Sequence, residues 1–299
     1  MNTLIVKLNA TGDVVRTTPL LHRLDGTVTW LTAARNCILL DGLRAGLRCV
    51  TWEDRASVLE SSYDLVLNLE DEAEVADFVR DVHHARLFGA HLGSDGGMTY
   101  TPDARGWFDM SLISAYGRAQ ADQLKYRNRR SYQELLFEGL GLRFEGEEYL
   151  LPNGVETGLT GDVAIAAAVG PVWPMKNWVH YDRLAADLRT AGCQVNFLPI
   201  RVSLLEHIGD IRGHRCLVGG DSLPMHIALG QGLRCVTIFN CTSPWEIYDY
   251  GRQTKIVSPL LGQYFYMRGN DARATTAVAF DEVFKAVVGC IAAPQLLNK

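Results

Sequence analysis

The chain has 299 residues, of which 47% are hydrophobic, and its formal net charge at pH 7 is -5. This length is enough for one large domain or two ordinary ones. The acidic balance argues against a nucleic-acid or membrane-surface partner, and no apolar run is long enough to form a transmembrane segment. Because the N-terminus enters a strand-like pattern without a basic leader, we expect a cytoplasmic protein.

Strand-like and helical patterns alternate along the first half of the chain. The strand-like runs are Thr3–Leu8, Val28–Thr32, Arg48–Glu53, Tyr63–Glu70 and Ala85–Gly89. Helical patterns cover about Val14–Leu24, Glu72–His83 and Ser131–Gly141, and His91–Arg130 is predicted to form loops and one helix. This alternation predicts a parallel sheet with helices on both faces.

The same pattern restarts after Leu150–Gly154. Its strand-like runs are Asp162–Val169, Gln194–Pro199, Arg215–Gly220, Arg234–Asn240 and Lys255–Ser258. We therefore predict two α/β domains, residues 1–152 and 153–299, with a ligand cleft between them. The last helix, about residues 280–292, is a candidate for packing back toward the N-terminal domain.

Cysteine and histidine spacing gives no sign of a metal site. Seven cysteines occur singly, without CxxC pairs, and we expect them to be buried structural thiols rather than redox or zinc ligands. His83, His84 and His91 lack a third ligand at a recognisable spacing and are interpreted as ordinary surface or turn histidines.

Four loops follow predicted strands and carry polar or charged side chains. They are Asn9–Pro19, Gly170–Trp178, Gly219–His226 and Phe239–Glu246. Open α/β sheets bind ligands at the carboxyl ends of their strands, so four such loops favour a nucleotide-type ligand. The loops also have plain structural interpretations; for example, Asp13, Asp221 and Ser222 are residue types that often cap helices.

The sequence motifs of these loops resemble those of glycosyltransferase family nine, the ADP-heptose:lipopolysaccharide heptosyltransferases. The resemblance is carried by KLNATGDVVRTTP (Lys7–Pro19), YDLVLNL (Tyr63–Leu69), WPMKNW (Trp173–Trp178), GGDSLPMHIALG (Gly219–Gly230) and VTIFNCTSP (Val236–Pro244). Their order and spacing agree over most of the chain. The resemblance implies a GT-B fold, in which two Rossmann-like domains face a central cleft.

The resemblance also implies roles for individual residues. Asp13 matches the general base that acts on the acceptor hydroxyl, and Lys176 matches the lysine that neutralises the donor diphosphate. The implied donor-binding residues are Thr11, Gly12, Gly220, Asp221, Ser222, Met225, His226, Thr242 and Pro244. Candidate acceptor contacts are Glu70, Tyr100 and Trp107, with loop packing as the alternative for the aromatics and a helix-start acidic cluster for Glu70.

The implied reaction is an inverting, metal-independent transfer of a heptose or related sugar from a nucleotide-diphospho-sugar, with ADP-heptose as the first choice. No cofactor is expected. The acceptor is either a lipopolysaccharide core or a small sugar or aminocyclitol-type natural product. A GT-B nucleotide-sugar 2-epimerase and a non-catalytic sugar-nucleotide-binding protein are the rival interpretations.

Three features depart from the family pattern. The short link Pro199–Ser203 replaces a glycine-containing loop and a further helix, which affects contacts to the donor's base and ribose. Leu223-Pro224 replaces a glycine after the aspartate-serine pair and stiffens the backbone. The basic run Lys125–Arg130 either faces a phosphorylated acceptor or is a solvated helix end.

Overall fold

The computed structural model describes residues 1–293 and divides the chain into two compact units. The first unit comprises Met1–Pro152, and the second begins at Asn153. Each unit contains its own sheet and its own apolar clusters. None of the helices in the described residues is long and apolar enough to span a bilayer.

The first unit is built on a six-stranded sheet in the order β3-β2-β1-β4-β5-β6. Its strands are β1 (Asn2–Val6), β2 (Thr27–Thr32), β3 (Leu47–Thr51), β4 (Ser62–Asn68), β5 (His83–Leu92) and β6 (Met98–Tyr100). Its helices are α1 (Thr11–Thr17), α2 (Cys37–Leu40), α3 (Ala73–Arg80), α4 (Arg105–Phe108), α5 (Arg118–Arg127) and α6 (Tyr132–Gly139). All neighbouring strands are parallel except β5 and β6.

Strand β1 shows why this sheet is buried on both faces. Successive side chains of a strand point to opposite faces, and Ile5 joins one apolar cluster whereas Leu4 and Val6 join another. Strand order reverses between β1 and β4, because β2 lies on one side of β1 and β4 on the other. Such a reversal opens a crevice at the carboxyl ends of the two strands, where doubly wound sheets bind ligands.

The second unit has a five-stranded parallel sheet in the order β11-β10-β9-β7-β8. Its strands are β7 (Gly161–Ala166), β8 (Val195–Phe197), β9 (His214–Gly220), β10 (Arg234–Phe239) and β11 (Gln253–Val257). Its helices are α7 (Tyr181–Thr190), α8 (Leu204–Arg212), α9 (Leu223–Gly230), α10 (Leu261–Tyr264), α11 (Ala272–Thr276) and α12 (Phe280–Ala292). Helix α12 packs on β9, β10 and β11 through Val283 and Val287.

The cysteines correct one prediction. Cys37 in α2 and Cys49 in β3 form a disulfide, so the expectation of seven unpaired thiols is wrong for this pair. The two residues are 12 positions apart and meet because α2 leads directly into β3, the strand beside β2. Cys216, Cys235 and Cys241 are buried free thiols, as predicted, whereas Cys193 and Cys290 are only half-buried.

Candidate functional site

Asp13 lies in the first turn of α1, the helix that follows β1 at the crevice of the first unit. The helix begins at Thr11 and its N-cap is Ala10, which has a φ of 55°. Asp13 is therefore not the N-cap, and the capping interpretation of this residue is wrong. Its carboxylate still lies in the turn where a helix dipole favours negative charge. Thr11 donates a hydrogen bond to Asn36 Oδ1 at 2.9 Å, which fixes the start of the helix.

Two cations hold the Asp13 carboxylate. Arg16 Nε lies 3.0 Å from Asp13 Oδ1, and Lys7 Nζ lies 3.7 Å from Oδ2. The Asp13 side chain is 28% exposed, whereas those of Arg16 and Lys7 are 13% and 9% exposed. The carboxylate is thus fixed in direction and still reachable, as a general base requires.

Glu70, which follows β4, anchors the loop that connects β1 to α1. Its Oε1 accepts hydrogen bonds from Lys7 Nζ at 2.8 Å, Leu8 N at 2.7 Å and Asn9 N at 3.1 Å. Burial lowers the pKa of Lys7, but the Asp13 and Glu70 carboxylates outweigh it and raise that pKa above its ordinary value. Glu70 is 4% exposed and lies before Glu72, the N-cap of the helix that begins at Ala73, so it is not in the first turn of that helix; its role as an acceptor contact stays a prediction.

The predicted acceptor aromatics pack inside the first unit. The Tyr100 hydroxyl donates to Asp109 Oδ1 at 2.6 Å, and its ring stacks on Phe108, which supports the packing alternative. Trp107 meets the ring of Tyr132 edge-on at 4.0 Å. Tyr132 in turn lies 4.2 Å under the Arg16 guanidinium, which connects Trp107 to the surroundings of Asp13.

Tyr132 was not anticipated from the sequence. It is buried, its hydroxyl lies 2.6 Å from Thr17 Oγ1, and burial raises its pKa to about 12. The residue begins α6, which Ser131 caps through a reciprocal pair of hydrogen bonds with Glu134. Nothing in the local sequence connects this helix to Asp13, because 119 residues separate Asp13 from Tyr132 along the chain.

In the second unit, two glycines at the end of β9 allow close contact with the end of β7 and with the segment that carries Lys176. A Cβ on Gly220 would lie 2.9 Å from the carbonyl oxygen of Lys176, and one on Gly219 would lie 3.0 Å from Cβ of Ala166. Lys176 Nζ donates to the Asp221 carbonyl at 2.6 Å and to its Oδ2 at 3.2 Å. Lys176 and Asp221, which the sequence predicts to serve the donor, are therefore in direct contact.

Lys176, Gly220 and Asp221 together are called the cradle below, and helix α9 starts beside them. Ser222 is its N-cap but makes no capping hydrogen bond with its side chain, and Pro224 occupies the first turn. His226 is buried one turn into the helix. Met225 is fully buried and its sulfur accepts a hydrogen bond from Gln253 Nε2 at 3.1 Å; its role as a donor contact stays a prediction.

Buried hydroxyl groups follow the end of β10. Thr242 Oγ1 and Ser243 Oγ have no hydrogen-bond partner in the described part of the chain, although the two residues are 3% and 2% exposed. Lys255 Nζ holds the loop by donating to the carbonyls of Pro244 at 2.7 Å and Ile247 at 2.6 Å. Buried hydroxyls usually have partners, so these two indicate a place for a ligand oxygen.

A cavity of about 230 Å³ opens beside α9 at the ends of β7 and β8. Its lining is mainly apolar and includes Leu198, Ile200, Leu204 and Pro224. The link Pro199–Ser203 forms part of the wall. Arg201 stands there and binds the buried Asp210 through Nε at 2.7 Å and Nη2 at 3.0 Å.

The two sheets and these loops define a protein of the GT-B glycosyltransferase fold, which the solved structures share. A glycosyltransferase family 9 protein from Veillonella parvula has a TM-score of 0.66 at 15% identity, with 97% of each chain covered. The Escherichia coli heptosyltransferase WaaC with ADP has a TM-score of 0.64 at 16% identity, covering 97% of this chain and 100% of that one. The E. coli ADP-heptose lipopolysaccharide heptosyltransferase II has a TM-score of 0.59 at 14% identity, covering 97% and 98%.

The sequence match is to the same family. Residues 182–265 match the family model of glycosyltransferase family 9 (heptosyltransferase). The predicted GT-B fold class is thereby confirmed, and the match over residues 182–265 supports the predicted resemblance to this family. A comparison with curated proteins found no match. In residues 1–293, no group of three or more histidine, cysteine or acidic side chains is placed to hold a metal ion.

Proposed function

We propose that the protein transfers a heptose or related sugar from a nucleotide-diphospho-sugar, ADP-heptose in the first instance, to a hydroxyl acceptor. The reaction inverts the anomeric centre and needs no metal. The observation that carries the proposal is the Lys176–Asp221 cradle at the start of α9, next to unpartnered hydroxyls at the end of β10.

The donor's diphosphate is proposed to bind at this cradle. The start of a helix attracts anions through its unpaired N–H groups and its dipole. Lys176 supplies a full positive charge, and the Thr242 and Ser243 hydroxyls lie ready to donate to phosphate or sugar oxygens. A donor bound here competes with Asp221 for the Lys176 ammonium group, which is only 3.2 Å from the carboxylate.

The nucleobase is proposed to occupy the neighbouring cavity. Its apolar walls, Leu198, Ile200 and Leu204, suit a flat heterocycle, and Arg201 at the rim is 30% exposed. Arg201 is already held in two hydrogen bonds by Asp210 and is therefore presented in one orientation. This wall is one of the three parts of the chain that depart from the family pattern, and we propose that it selects the carrier nucleotide.

Asp13 is proposed to act as the base. Its carboxylate removes the proton from the acceptor hydroxyl as the oxygen bonds to the anomeric carbon. The bond from that carbon to the diphosphate oxygen breaks, and the oxygen keeps the electron pair. Positioned base catalysis is worth about 10²–10⁴ in rate. Stabilising the charge on the leaving group adds a separate contribution, in this case from Lys176 and the N–H groups of α9.

The acceptor is a lipopolysaccharide core or a small sugar-like alcohol. The basic run ends in exposed Arg127, Arg129 and Arg130, of which Arg130 pairs with Glu138. A phosphorylated core would bind these arginines through its phosphate groups, whereas a neutral small molecule would not need them. Replacing Arg127 and Arg129 by glutamine weakens use of a phosphorylated acceptor but leaves a neutral acceptor unaffected.

The first test is thermal-shift screening with ADP-, GDP-, UDP- and dTDP-sugars, because a bound donor raises the melting temperature by mass action. Product analysis with and without acceptors then follows for the donor that binds. Formation of an inverted glycoside supports the proposal. Donor binding with no turnover across a broad acceptor panel, or conversion of the donor alone to its epimer, would contradict it, as would loss of all transfer on treatment with a chelator.

A further inference from the structure

One indole ring of the second unit carries two cations. Lys176 Nζ lies 5.9 Å from the centre of the Trp173 ring, and the Arg268 guanidinium carbon lies 5.7 Å from the same centre. Trp173 is half-buried and meets Tyr266 edge-on at 5.7 Å. Arg268 and Lys176 therefore contact the same ring, although 92 residues separate them along the chain.

The segment that carries Arg268 is fixed to the end of β10. Tyr266 N donates to the carbonyl of Cys241 at 2.8 Å, immediately before Thr242. Tyr266 has a φ of 52°, a conformation that bulky side chains rarely adopt and that persists only where the surroundings enforce it. Its hydroxyl donates to Glu246 Oε2 at 3.3 Å. The backbone two residues before Arg268 is thus held against the end of β10.

The two cations differ in their partners. Lys176 is held by Asp221, whose carboxylate lies 3.2 Å away. The exposed Arg268 forms no ion pair within residues 1–293, and its contact is with the Trp173 ring. A guanidinium presents a planar fork of donors that fits two phosphate oxygens at once, whereas an ammonium acts as a point charge. Lys176 and Arg268 thus offer two cationic groups at one ring to an anionic ligand.

We propose that Arg268 is a second cationic ligand of the donor's diphosphate, oriented by Trp173, and that it stabilises the leaving group; this rests on the proposed function. When the bond between the anomeric carbon and the diphosphate oxygen breaks, the oxygen keeps the electron pair. Arg268 donates hydrogen bonds to the diphosphate and transfers no proton. Lys176 and Arg268 thereby share the charge that develops.

The test measures dissociation constants by calorimetry for inorganic pyrophosphate, for ADP, GDP, UDP and dTDP, and for each matching nucleoside. Arg268→Ala is compared with Arg268→Lys and with Arg273→Ala. Arg273 is a matched control because it lies on the same segment, is exposed and pairs with Asp271 at 2.8 Å instead. All variants are checked for an unchanged melting temperature.

We expect Arg268→Ala to weaken binding of pyrophosphate and of the preferred nucleoside diphosphate by about 10- to 100-fold, the loss of a charge-assisted hydrogen-bonding group. Nucleoside binding stays within about twofold. Arg268→Lys falls between wild type and Arg268→Ala, and Arg273→Ala matches wild type. If wild type binds the diphosphates and Arg268→Ala binds them equally well, the role of Arg268 is wrong and the proposed function stands. If wild type binds none of them, both fail.

Discussion

The buried ion pair between Lys7 and Glu70 gives a sharp prediction about stability. We consider Lys7→Met, which keeps the length and flexibility of the side chain but removes its charge. Glu70 would then remain a carboxylate that is 4% exposed, with only the N–H groups of Leu8 and Asn9 as partners. The ammonium that also reaches Asp13 at 3.7 Å would be lost.

The expected magnitude follows from the burial of this pair. Removing one partner of a buried ion pair costs about 3–5 kcal/mol, because the other charge is left uncompensated. For a unit of this size, such a loss lowers the melting temperature by about 10 °C. The double variant Lys7→Met/Glu70→Gln removes both charges and keeps an acceptor for the two N–H groups. We therefore expect the double variant to be more stable than Lys7→Met alone.

Chemical denaturation together with hydrogen exchange of the β1 and β4 amides measures this effect in the first unit. The pKa of Lys7 is raised on folding, so its contribution is complete below the ordinary lysine value and is lost only as the pH rises through the raised value. The difference between wild type and Lys7→Met should thus be constant from about pH 6 to pH 9. A loss below about 1 kcal/mol, typical of exposed pairs, would refute the argument. A double variant less stable than Lys7→Met would do the same.

Two further predictions concern backbone contact and the disulfide. Gly220→Ala places a Cβ 2.9 Å from the Lys176 carbonyl oxygen and should weaken nucleoside diphosphate binding at least tenfold, roughly the loss of one hydrogen bond to a charged group. The control is Gly170→Ala, because a Cβ there has no atom within 4 Å. Equal affinities of the two variants by calorimetry would contradict diphosphate binding at Gly220, Lys176 and Asp221. Replacing Cys37 and Cys49 by serine opens a loop closed by residues 12 positions apart. It should lower the free energy of unfolding of the first unit by about 2–3 kcal/mol in denaturation experiments. If alkylation and mass spectrometry find both thiols free in the wild type, the disulfide is absent.

Much of the fold follows from the local sequence. Short apolar runs such as Asp162–Val169 and Thr3–Leu8 predict parallel strands, and the sheets contain β7 and β1 there. The antiparallel strand Met98–Tyr100 was missed, because three half-buried residues after a glycine-rich turn carry no clear period. Short edge strands take their structure from the neighbouring strand, in this case β5, rather than from their own pattern.

The candidate site was only partly predictable. Asp13 and Lys176 stand out because each follows a strand at a recognisable motif. The surroundings of Asp13 depend on contacts over long sequence separations, and so the buried roles of Glu70 and Tyr132 were not apparent. Arg268 was not predicted for the same reason, since its segment meets the Trp173 ring through contacts between residues far apart in sequence.

The most direct test of the central proposal is the transfer rate of Asp13→Asn relative to wild type, measured with the donor and acceptor that the wild type uses. Asparagine keeps the shape of the side chain but cannot accept the proton. We predict a rate lower by about 10²–10⁴, with the dissociation constant for the nucleoside diphosphate within about twofold of wild type. Transfer at the wild-type rate, with that binding intact, would contradict the assignment of Asp13 as the base.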